Sequence, residues 1–140
     1  MTGSDPIHRD FMSGVQTGRT IWHRASQPDS GHGHVLDLAL FEGEVRFANG
    51  ETGIYAGVET IDMTDPAEPF SGNHAFLLKD GSVSNQVFEG TALHKNGTGR
   101  ASGAGTWKIV NGTGRLANLR GSGTFRWSID GDRYHAEFCD

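Results

Sequence analysis

Cysteine is almost missing from this chain of 140 residues: Cys139 stands alone, so no internal disulfide can staple the fold. A reducing, cytoplasmic setting is the corresponding expectation. Positive charge is also scarce, with 12 Lys and Arg against 17 Asp and Glu, a formal net charge of −5, and no basic run. Phosphate backbones and anionic lipid would find little to hold, which argues against nucleic acid and membranes as partners. No apolar stretch is long enough to span a bilayer. The opening Met1–Asp10 segment is polar, lacking a basic n-region and an apolar h-region, so no secretion signal is expected. Asn96-Gly97-Thr98 and Asn111-Gly112-Thr113 fit the glycosylation pattern, but without such a signal they read as tight turns. Helical periodicity is lacking too, because after about Thr17 almost no long stretch escapes glycine.

Glycine is what the chain has in excess, 21 in all, which implies many turns and bulges. With 35% apolar and 21% charged residues the chain can bury one core, and its length suits one domain. Residues 1–17 lack periodicity and read as a loose N-terminal arm, leaving 18–140 as the folded domain. Alternation predicts about eight strands, at Arg19–Ala25, Val35–Phe47, Thr52–Asp62, Asn73–Lys79, Val83–His94, Gly105–Val110, Gly123–Ile129 and Arg133–Phe138. Asn49-Gly50, Asp80-Gly81 and Asp130-Gly131 are hairpin signals. Met63–Phe70, with Pro66 and Pro69, reads as a longer loop over one mouth. Eight short antiparallel strands either stack or close, and closure removes the edges that invite aggregation. The expected fold is therefore all-β, an eight-stranded antiparallel β-barrel wide enough to be filled by side chains or to hold one small ligand. Gly53 and Gly57, flanking Tyr55, would relieve crowding where the sheet curves or leave room for a guest.

Two motifs invite other readings. Gly112-Thr113-Gly114-Arg115-Leu116-Ala117 matches a dinucleotide fingerprint, but a phosphate cradle needs a helix opening at the second glycine, and Gly121 and Gly123 follow instead. Its pentapeptide Asn-Gly-Thr-Gly-Arg also occurs at Asn96–Arg100, fifteen residues earlier, so repeated turn chemistry is the better reading. His32-Gly33-His34 offers two imidazoles, yet the Glu and third His of a cupin-type site are missing, and no metal is expected. No Ser–His–acid or Cys–His arrangement is supported.

Polar residues within apolar strands are the remaining candidates. Tyr55, Gly57 and Glu59 share one face of the third strand, and Val83, Asn85, Val87 and Glu89 one face of the fifth. Pointing outward, Glu59 and Glu89 are solubilising carboxylates, which is the default. Pointing inward, burial would raise the pKa and make them acids or bases, with Tyr55 or His74 as hydrogen-bonding neighbours.

The stretch Thr106–Phe125, with Trp107-Lys108-Ile109-Val110 leading into the Gly112–Gly123 turn, resembles the hallmark of the allene oxide cyclase-like barrels. Gly53–Val58 and Ala75–Ser82 fit the same pattern at compatible spacing, so the resemblance runs from about Gly53 to Phe125 and extends more distantly to dirigent proteins. It implies an eight-stranded barrel, a homodimer or homotrimer, whose apolar cavity steers a reactive small molecule through ring closure or coupling. It also implies a cavity-facing position for Glu59, where the plant cyclases carry a cysteine, and leaves Glu42 and Glu44 as substitutes for their carboxylate and asparagine. The leading expectation is thus a cofactor-independent isomerase or cyclase acting on a mostly apolar intermediate. Glu59 would transfer the proton, Tyr55 and His74 would orient or stabilise charge, and Asn85 and Glu89 would add polar contacts. Phe76, Phe88, Trp107, Phe125 and Trp127 would wall the cavity. The alternative is a non-catalytic lipocalin-like carrier, or a dirigent-type guiding protein, for an apolar metabolite.

Overall fold

The computed structural model describes residues 10–26, 35–95 and 99–140. Eight strands follow one another as β1 (Gly14–Ser26), β2 (Leu36–Phe47), β3 (Thr52–Asp62), β4 (Phe70–Leu78), β5 (Val83–Lys95), β6 (Arg100–Gly112), β7 (Ser122–Asp130) and β8 (Arg133–Cys139). Each pairs antiparallel with its sequence neighbour, and β8 returns to β1, so the sheet closes into a barrel with no free edge. The hairpin signals act as expected: Gly50 (φ 88°) and Gly81 (φ 91°) take left-handed turn conformations that a side chain would strain. The fingerprint-like stretch forms a single 3-10 turn, Gly114–Leu116, with no helix behind it, which removes the phosphate-cradle reading. Part of the Asn96–Arg100 copy and all of His32–His34 lie outside the described residues. Among the described residues no helix is long and apolar enough to cross a membrane.

Alternation places one residue in two inside. The glycines and aromatics alternate in a way that only the register exposes. Nearly every inward aromatic sits directly across from an inward glycine: Phe41 from Gly57, Phe88 from Gly72, Phe70 from Gly90, Trp107 from Gly123 and Phe125 from Gly105. The ring lies over the bare backbone of its partner, so that a methyl group at Gly57 would come within 2.6 Å of Phe41 Cζ, and one at Gly72 within 2.9 Å of Phe88 Cζ. The space at Gly57 is therefore filled by the Asn73 carbonyl, His74 and Phe41, so of the two roles expected for this glycine it relieves crowding and leaves no room for a guest. Gly72→Ala is expected to lower stability by about 1–3 kcal/mol, the usual range for overpacking, read as a lower urea midpoint at unchanged m-value.

One end of the barrel is plugged. Phe11 and Met12 are buried there with Phe47, Leu78, Ile109, Leu116 and Leu119 in a continuous apolar cluster. Phe11 meets Phe47 edge-on at 4.9 Å. The first strand thus starts at Gly14, earlier than alternation alone indicates, and residues expected in the arm form the floor. Arg115 ties this end together from outside, its guanidinium donating to both Glu51 oxygens and, through Nε at 2.8 Å, to Asp80. The other end, where β3 passes into β4, carries Glu59, Phe70, Ile129 and Trp127 on its inner wall. The Met63–Phe70 loop belongs to this end and is anchored to β5 by the Ala92 N–H donating to the Ala67 carbonyl at 2.7 Å.

Candidate functional site

Above the plugged floor the inner wall changes character. β1 contributes Gln16 and Thr20, β2 Phe41, β3 Glu59, β4 His74, β5 Gln86 and Phe88, and β8 Tyr134 to a cavity completed by Trp107, Phe125, Ile129 and Phe138. Its volume is about 50 Å³, enough for more than one water molecule and small beside the several hundred Å³ (roughly 300–1,000) of sites for drug-sized ligands. It admits a compact molecule.

Glu59 is the central group. It sits on the inner face of β3 because Tyr55, Gly57 and Glu59 fall on alternate positions, and Ala39 lies across from it on β2. Two residues along β2, on the same inner face, is buried Asp37. Burial raises the Glu59 pKa from 4.5 to about 7, and the nearby Asp37 charge adds to the rise. The carboxyl is therefore divided between acid and carboxylate near neutrality, able to donate a proton in one form and accept one in the other. Asp37 in turn lies 3.3 Å from Nδ1 of the exposed His23.

His74, on the neighbouring strand β4 and paired with Gly57, is buried, its Nε2 at 2.9 Å from Gln86 Oε1 and its ring stacked on Phe76 at 4.7 Å. Burial lowers its pKa from 6.5 to about 4, against the smaller raising effect of Gln86. It is neutral at ordinary pH, so Nε2 carries the hydrogen and donates to Gln86. Two phenols complete the polar belt. Tyr134 lines the cavity, and burial, followed by the neighbouring Tyr55 and Glu59, holds its pKa far above the ordinary phenol range. Tyr55, 2% exposed, is raised by burial alone, and among the described residues its hydroxyl has no hydrogen-bond partner. That hydroxyl occupies the space over Gly18, where a methyl group would lie 2.5 Å from it, between the inward positions of Gln16 and Thr20. A partly open, aromatic-walled cavity with an adjustable carboxyl and a phenol on its wall is a binding site in form. No protein-family model matches the chain, and no curated protein matches its sequence.

The structure brings together Glu59, His74, Phe88, Trp107 and Phe125 from the residues singled out in the sequence. Tyr55 adjoins them, packed 6.1 Å from both Phe41 and His74. Phe76, 1% exposed, lies beneath as packing, and Trp127 sits nearer the mouth, edge-on to Phe70 at 5.7 Å. Asn85 and Glu89 are corrections. Both fall on the outer face of β5, since Ser84, Gln86 and Phe88 take the inner positions. Asn85 Nδ2 donates to Asn111 Oδ1 at 2.6 Å on the outside, and Glu89 is exposed. Glu42 and Glu44 are exposed as well, Glu42 lying 3.4 Å from Arg19. Asp37, Gln16, Gln86 and Tyr134 were not legible as site residues. Gln86 is flanked by polar Asn85 and apolar Val87 alike, so the strand pattern alone does not say which face turns inward. Among the described residues no group of three or more His, Cys, Asp or Glu side chains is placed to hold a metal ion.

Proposed function

We propose that the barrel is a binding module that takes a compact, mostly apolar small molecule into its lumen. The observation that carries this reading is the cavity itself, walled by Phe41, Phe88, Phe125 and Trp107 and provided with a few convergent polar groups. An apolar ligand gains from leaving water, and the rigid, closed sheet spares it the cost of ordering the site. Xenon is a suitable first probe because it needs only apolar space. Xenon NMR is expected to report occupancy of the wild-type cavity, and Ile129→Trp, which places an indole in the lumen, is expected to abolish it while the protein stays folded. Exclusion of xenon from the folded wild type would sink the reading.

Glu59 favours a second reading, a cofactor-independent isomerase or cyclase of the kind the allene oxide cyclase-like resemblance implies. A largely buried carboxyl with a pKa of about 7 is suited to moving a proton at neutral pH. Mass spectrometry of a bound ligand separates the two: a carrier returns it unchanged, whereas an isomerase returns rearranged product and loses at least about tenfold in turnover as Glu59→Gln.

A further inference from the structure

Charge is segregated across the barrel wall. Every described Lys and Arg is exposed, while Asp37 and Glu59 are the carboxyl groups on the inner face. No hydrogen bond from a described residue reaches the Glu59 carboxyl. Tyr134 lines the same cavity as Glu59 and is electrostatically coupled to it. His74 and Gln86 satisfy each other, so they leave less capacity for a guest.

We infer that the lumen is built for an organic cation: a protonated amine on a compact apolar body, its ammonium seated between Glu59 and the phenol of Tyr134. The inference rests on the reading of the barrel as a small-molecule binder and names its ligand class. Each alternative head group fits worse. An anion would meet two carboxyl groups and, among the described residues, no lysine or arginine. A neutral head would leave the Glu59 carboxylate buried without a counter-charge, or else require it to stay protonated. An ammonium brings three N–H donors and no acceptor, matching the two oxygens of the Glu59 carboxylate and the phenol oxygen of Tyr134. The aromatic walls add attraction of their own, because ring faces favour a cation and tolerate its hydrocarbon body.

The test compares three near-isosteric ligands, isobutylamine, isobutanol and isobutyrate, by ligand-observed NMR at about pH 8, where the Glu59 carboxylate prevails. The amine is expected to bind at least about tenfold more tightly than the alcohol, with isobutyrate weakest, as one partly desolvated charge pair would give. Glu59→Gln should erase the preference while leaving alcohol binding in place, and Glu89→Gln, on the outer face, should preserve it. Alcohol binding equal to the amine's, or isobutyrate binding as tightly, overturns the inference and leaves the binding module standing. If xenon enters but none of the three binds, the inference falls alone; if xenon is also excluded, both fall. The wild-type comparison decides the matter even if a variant does not fold.

Discussion

Phe76→Ala is expected to lower the unfolding free energy by about 3–5 kcal/mol, the range for removing a buried aromatic ring. Phe76 stands between the plugged floor and the cavity, touching the rings of Phe47 at 5.7 Å, Phe138 at 5.7 Å and Tyr55 at 6.1 Å, and stacking on His74. Its loss removes apolar burial and leaves a void that a closed sheet cannot collapse to fill, since each strand is held by two neighbours. Phe76→Leu, which keeps much of the volume, should cost less. Urea unfolding followed by circular dichroism measures both. A loss below about 1 kcal/mol for the alanine variant would show that this layer is not the packed floor described above.

The second large effect concerns pH. Glu59 binds its proton more tightly folded than unfolded, so between about 4.5 and about 7 stability falls as pH rises. His74 does the reverse: the unfolded chain binds the proton more tightly, so between about 4 and 6.5 stability rises with pH. The two shifts are similar in size, each worth on the order of 3 kcal/mol across its window. They oppose one another over roughly pH 4.5–6.5, where wild-type stability should change little through these two groups. Each substitution should unmask the other group. Glu59→Gln is expected to gain stability with rising pH across this window, and His74→Gln to lose it. Chemical denaturation at several pH values reads the slopes directly. Parallel slopes in wild type and both variants would show that the two side chains do not titrate as buried groups.

Much of the architecture was legible because it is written in local chemistry. Asn49-Gly50, Asp80-Gly81 and Asp130-Gly131 specify tight reversals, and alternation between them specifies strands, so an antiparallel meander follows with closure as the natural way to remove its edges. The start of β1 was harder to see. Phe11 and Met12 show no period of their own, and they are ordered by the cluster they plug.

The site was only half legible. For β3 the more apolar face is Ile54, Ala56 and Val58, yet it turns outward, with Ile54 56% exposed, while Tyr55, Gly57 and Glu59 turn in. Hydrophobicity alone would have chosen the other face. What decides is the fit of large to small across neighbouring strands: an inward glycine on one strand leaves room for the ring on the next, and that pairing exists only once register is set. The same holds for β5, where Asn85 and Glu89 were misplaced because Ser84 and Gln86 are as polar as they are.

By itself, then, the amino-acid order determined the strands, the turns and the abundance of glycine, because these depend on neighbours along the chain. Tertiary structure alone decided which face looks inward, that glycines serve as seats for aromatic rings, and that Asp37, Glu59 and Tyr134 come together. These depend on contacts between strands far apart in sequence, and the titration of a carboxyl depends on how much water those contacts exclude.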